Sequence, residues 1–301
     1  MVKIIFKSSL LLFCLSSAIY ALNIDKKNVY EYNYFAFGSE TFSYSEFGVH
    51  KVFDSSFKSK AKITSSVYKS GALLNFADKF TISMDFISTL EAHDTTENWN
   101  FANGYSQTNK ARIGTNSMKI LYHYLMTNHS RVVVGGHYIS NSFRRYGYKN
   151  AGVISNNQEI IYPQDKIDMS KIIMAEELSN TTIFDIGYWY ESKKAGQSGF
   201  RYMGNIIYGL PIYQKTTNST APNENFSQTD GYNIDALIYG GYTIFEGFEI
   251  GVYCSYGFMK RDGGRVYLGV DNNNDGKEDT LLWPKNESKV YRMGIQTVWN
   301  F

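Results

Sequence analysis

Polar and apolar residues alternate along much of this 301-residue chain, and the pattern is clearest at the end. In "VYRMGIQTVWNF", Tyr291, Met293, Ile295, Thr297, Trp299 and Phe301 share one face; Val290, Arg292, Gly294, Gln296, Val298 and Asn300 share the other. Side chains alternate across a strand, so a period of two predicts a β-strand with one apolar and one largely polar face. The same alternation runs through "FEIGVYCSYGF", where Phe248, Ile250, Val252, Cys254, Tyr256 and Phe258 oppose Glu249, Gly251, Tyr253, Ser255 and Gly257. It returns in "YNIDALIYGGYTI", "KFTISMDFISTLE" and "TTIFDIGYWYE". The chain reads as all-β.

A soluble sandwich also alternates, with its apolar face turned inward. Two features favour a transmembrane antiparallel β-barrel instead. Charged positions fall in mid-strand among glycines and small polar residues, as in a wet lumen, and the apolar face is rich in aromatics near strand ends, as in a lipid-facing girdle. Short connections at 77–78, 128–130, 179–180 and 246–247 mostly alternate with long polar ones at 46–65, 92–115, 146–169, 217–229 and 261–287. Such barrels have short periplasmic turns and long extracellular loops. A trace with turns at Ser179–Asn180 and at "GLP" (Gly209–Pro211) yields about twelve strands. If 199–217 is one long strand, the count becomes about ten or fourteen.

The N-terminus fits the same compartment. Lys3 and Lys7 precede a short apolar run around Leu10–Leu15, and small residues follow to Ala21. This is the pattern of a secretory signal peptide over 1–21, cleaved after Ala21 or Ala18, leaving a barrel domain over 22–301. Its loss takes Lys3 and Lys7 and leaves 28 basic against 28 acidic residues, a balance that argues against a nucleic-acid partner. One cysteine, Cys254, then remains, so no internal disulfide forms. The 25 Tyr and 20 Phe suit strands and membrane–water boundaries.

The closing "MGIQTVWNF", with Ile295, Trp299 and Phe301 at alternate positions, resembles the last strand of Gram-negative outer-membrane β-barrels. The resemblance implies outer-membrane localisation, with the terminal aromatic read by the barrel-assembly machinery. It covers one short motif and the general architecture, and says little about cargo. Barrels of this size in that class include small porins, solute channels, a phospholipase and autotransporter translocators.

The lumen is expected to carry charges of both signs: Lys69, Asp85, Lys119, His123, Arg131, His137, Asp185, Asp235, Glu249 and Arg292. Opposed acidic and basic rings orient polar solutes in an open pore; paired across the lumen, the same charges plug it. The first arrangement predicts a passive porin or channel for small polar solutes. The second predicts a closed barrel acting through its outer loops as an adhesin or structural surface protein. Catalysis is not expected: His93 and Asp94 adjoin in "EAHD", but no nucleophile–histidine set of the outer-membrane phospholipase kind accompanies them.

Two local features complete the reading. In "VDNNNDGKEDTLLW", Asp271, Asn273, Asp275 and Asp279 offer side-chain oxygens and Lys277 a carbonyl, at the spacing of a short extracellular calcium loop. The twelfth position of an EF-hand loop would be Leu282, so a helical calcium sensor is not indicated. No other cofactor is expected. In "FRRYGYK", Arg144, Arg145 and Lys149 are placed at an outer rim, where they would meet lipid phosphates, including those of lipopolysaccharide.

Overall fold

The computed structural model describes residues 31–300 except 51–54, 78, 103, 105, 150–151, 156–157, 162–172, 220 and 268–279. The signal-peptide segment, the calcium-loop residues Asp271–Asp279 and Phe301 lie outside the described residues.

Among the described residues there are sixteen strands: β1 (Glu31–His50), β2 (Ser55–Ala77), β3 (Phe80–Glu91), β4 (Asp94–Phe101), β5 (Ser106–Leu125), β6 (Ser130–Lys149), β7 (Gly152–Ser155), β8 (Gln158–Ile161), β9 (Ile173–Glu191), β10 (Gly199–Asn218), β11 (Ala221–Gln228), β12 (Tyr232–Phe245), β13 (Phe248–Arg261), β14 (Gly264–Tyr267), β15 (Thr280–Trp283) and β16 (Lys285–Trp299). Ten of them close a ring of antiparallel neighbours in the order β1, β16, β13, β12, β10, β9, β6, β5, β3, β2, with β2 returning to β1. β4 bridges β2 and β5 beyond the end of β3, and β11 lengthens the wall beside β10. β7–β8 and β14–β15 are separate two-stranded ribbons.

The barrel therefore has ten strands, not twelve. Ser179 and Asn180 are interior positions of β9, paired to Asn141 and Ser140 of β6. Gly209, Leu210 and Pro211 lie within β10, and β9 accommodates them with a register shift between Pro211 and Tyr213. Proline donates no backbone hydrogen, so a ladder slip is where it fits inside a sheet. Much of the stretches expected as long connections, 46–65 and 92–115, is also strand.

The side chains are sorted inside out. On β16, Met293 and Ile295 are each 62% exposed, while Gln296 is 1% exposed. Around the ring, Phe184, Ile186, Ile206, Ile238, Tyr242 and Val252 face outward, while Arg201, Glu249, Asp185 and His123 are fully buried. A water-soluble sandwich would reverse this, because apolar surface leaves water at about 25 cal/mol per Å². An outward apolar band around a polar interior is the arrangement a bilayer selects.

The ring closes where β1 meets β16, with Gly38 opposite Gly294. A Cβ at Gly38 would lie 2.8 Å from the Tyr253 hydroxyl, and one at Gly294 would lie 2.7 Å from the Gly38 Cα. The missing side chains let Tyr253 of β13 lie across the interior of the seam.

Candidate functional site

The interior is built in layers. We call the end with the turns at Lys79, 126–129, 192–198 and 246–247 the near end, and the end where β4 and β11 extend the wall the far end.

At the near end Arg201 is fully buried, with Nε donating to both Glu249 oxygens at 3.1 and 3.0 Å. Its guanidinium also lies 3.6 Å from Glu191, which pairs with Arg131. The rings of Tyr32 and Tyr239 stand 5.2 Å from it, and the Tyr239 hydroxyl donates to Glu249 at 2.6 Å. His123 shares a 2.8 Å hydrogen bond with Ser83 and packs edge-on against Trp189.

Halfway along, Lys119 pairs with Asp235 at 2.6 Å and lies 3.9 Å from Asp185. His137 Nδ1 is 3.8 Å from Asp235 and 3.9 Å from Asp185. Lys69 lies 3.9 Å from Asp85, which also accepts from the Tyr34 hydroxyl. Arg292 donates to Glu40 at 2.6 Å. Tyr34, Lys69, Asp85, Lys119, His137, Asp235 and Arg292 line a cavity of about 100 Å³.

Above the cavity, Phe42, Ala61, Ile63, Ala111, Ile113 and Phe143 form an apolar layer, with Tyr44 and Val290 packed against it. Above that again, Arg145 pairs with Glu46 at 2.7 Å and Glu97 at 2.8 Å, its guanidinium 4.1 Å from the Phe143 ring. Asn109 donates to Glu97 at 2.9 Å and accepts from the Trp99 indole at 2.7 Å. Charge layers and apolar layers thus alternate across the bore. Most of the buried charges in these layers face an opposite one, the condition under which such groups tolerate loss of water.

All ten residues expected to line the lumen, Lys69, Asp85, Lys119, His123, Arg131, His137, Asp185, Asp235, Glu249 and Arg292, lie on the inward face, most of them in ion pairs. Glu40, Glu46, Glu97, Glu191 and Arg201 complete these networks and were not picked out from the sequence. Their inward parity was legible, since Glu40 shares a face with Ala36 and Phe42, but their partners sit on strands far away in the chain.

The outer-rim group divides. Arg144 is exposed and pairs with Glu176 at 2.6 Å. Arg145, one position on, points inward and is buried, so it is not a lipid-facing residue. The side chain of Lys149 lies outside the described residues. Ile295 and Trp299 fall on the outward face of β16. Asp94 is bonded to Arg112 at 2.6 Å, which holds its carboxyl below the usual carboxylate range. No cluster of potential metal ligands occurs among the described residues, and no helix is long and apolar enough to cross a membrane, a fact that does not bear on barrels.

No protein-family profile and no curated protein matches the sequence. Solved structures do. The outer-membrane protease OmpT of Escherichia coli superposes with a TM-score of 0.63 at 12% identity, over 90% of this chain and 96% of that one. The autotransporter NalP translocator domain of Neisseria meningitidis aligns over 98% and 96% at 8% identity, and a Pseudomonas aeruginosa FadL homologue over 89% and 64% at 12%. Their TM-scores, 0.32 and 0.31, are too low to bear on the argument.

The chain has the fold of a Gram-negative outer-membrane β-barrel, and the localisation read from its closing strand agrees with that of OmpT. The non-enzymatic expectation is corrected: the barrel that this chain overlays along most of its length is a protease. At 12% identity the likeness extends to the fold and not to a mechanism.

Proposed function

We propose that this chain is a closed transmembrane barrel of the outer membrane that acts at its far end, with that end extracellular and the four-turn end periplasmic. The observation that carries the reading is the crowded interior: two paired-charge layers, a cavity, an apolar layer and the Arg145 network follow one another along the bore. Of the two functions expected from the sequence, this favours the barrel that works by its surface over the passive channel for small polar solutes.

The extended wall supports the same view. Beyond the apolar layer, β1–β2 and β4–β5 continue as paired strands. A rigid strand-built rim holds side chains in fixed positions better than long loops do. On this reading the β16 strand is what the assembly machinery engages, and Asp271, Asn273, Asp275, Lys277 and Asp279, which lie outside the described residues, would hold a calcium ion.

Sugar-uptake swelling of proteoliposomes tests the closed bore. Vesicles carrying the folded protein should swell in small-sugar solutions no faster than protein-free vesicles. Swelling at rates that scale with protein content and fall with sugar size would refute it and restore the channel.

A further inference from the structure

We propose that the outer face of β1, β2, β13 and β16 binds the phosphate groups of an anionic lipid in the outer leaflet. The proposal rests on the orientation proposed above, with the far end extracellular, and not on whether the bore conducts.

β2 carries lysines at alternate positions, Lys58, Lys60 and Lys62, all exposed, while the residues between and after them, Ser59, Ala61 and Ile63, are buried in the interior. All three lysines therefore leave the wall on the same, outer side. The strand register extends the set sideways. Lys62 pairs with Ser43 of β1, which pairs on its other side with Lys289 of β16. Lys60 pairs with Ser45, Ser45 with Glu287, and Glu287 with Lys260 of β13. Lys58 pairs with Phe47, and Phe47 with Lys285. The ammonium groups of Lys58 and Lys285 stand 4.7 and 5.7 Å from the Phe47 ring, so they converge from both sides.

The result is six lysines facing one acid, Glu287, which Lys285 approaches at 3.4 Å. The small serines of β1 run as a shallow lane between flanking cations about 10 Å apart, two strand spacings.

The height of this patch identifies its partner. Two residues below Lys289 is Tyr291, followed by Met293 and Ile295, all widely exposed on the apolar band, and Phe37 joins them from β1. Two residues of strand are about 7 Å. The lysines thus begin where the apolar band ends, at the level of lipid headgroups rather than of free solution. Cations at that level are attracted to anionic headgroups by about fivefold in affinity each. The aromatic residue under them suits the same interface.

The test uses the full-length protein folded in neutral detergent. Binding of diphosphorylated lipid A is titrated against its dephosphorylated form and against sodium pyrophosphate. The wild type should prefer the diphosphorylated lipid, and the Lys60→Ser/Lys62→Ser/Lys289→Ser variant should lose about 100-fold. The near-end changes Lys79→Ser and Lys193→Ser should leave binding unaltered. A triple variant that still shows a heat-modifiable gel shift yet binds as well as wild type overturns the proposal. So does pyrophosphate binding as tightly as the lipid, which would make the ligand a soluble anion. Should the triple variant fail to fold, acetylation of the wild type decides: lipid A should shield Lys60, Lys62 and Lys289 from the reagent, and equal labelling with and without lipid overturns the assignment.

Discussion

Replacing Arg201 with methionine should be among the most damaging single changes in the barrel. The side chain is fully buried, and its Nε–H, shared between the two Glu249 oxygens, makes a charge-assisted hydrogen bond worth about 1.5–3 kcal/mol. Methionine fills much of the volume but leaves Glu249 as a buried carboxylate held only by the Tyr239 hydroxyl. Glu191 keeps Arg131 and loses less. Stranding one partner of a buried ion pair costs about 3–5 kcal/mol, and we expect a loss in that range. Adding Glu249→Gln removes the stranded charge and keeps an acceptor for Tyr239. The double variant should therefore be more stable than Arg201→Met alone, with a coupling of about 2–4 kcal/mol. Denaturant unfolding in phospholipid vesicles, followed by tryptophan fluorescence, measures both values. A single variant within about 1 kcal/mol of wild type, or strictly additive effects, would refute the claim that this layer is a tightly coupled plug.

Two further outcomes probe the ring and its surroundings. Gly294→Val should sharply lower the fraction that shows a heat-modifiable shift, because its side chain collides with β1 at the seam, while Gly136→Ala, whose added carbon meets nothing nearer than 3.9 Å, should fold normally. Cys254 is exposed on the outward face of β13, so in vesicles it should react with an apolar maleimide and resist a charged, membrane-impermeant thiol reagent; rapid labelling by the charged reagent would place that face in water.

The period of two made the strands and their faces legible, and with them the inward parity of every charge expected in the lumen. Two errors arose where local turn chemistry outweighed pairing. Ser179–Asn180 and Gly209–Leu210–Pro211 carry turn residues, yet strands on both sides hold them in the sheet. Splitting β9 and β10 in this way added the two surplus strands. The far-end walls were missed for a different reason. Where strands rise above the apolar band their outer face meets water, and Lys58, Lys60 and Lys62 read as a polar loop although they keep the alternation of a strand. The partners of each charge were not legible at all. Arg145 and Glu46 are 99 residues apart, and only the closed ring brings them together.

The central claim is that the bore is shut, and planar-bilayer recording tests it most directly. The folded wild-type protein should insert without ohmic steps in salt, across a range of modest voltages. Regular, reproducible unit conductances from the same preparation would contradict the account and show that solutes pass where the Arg201, Lys119 and Arg145 networks are said to close the way.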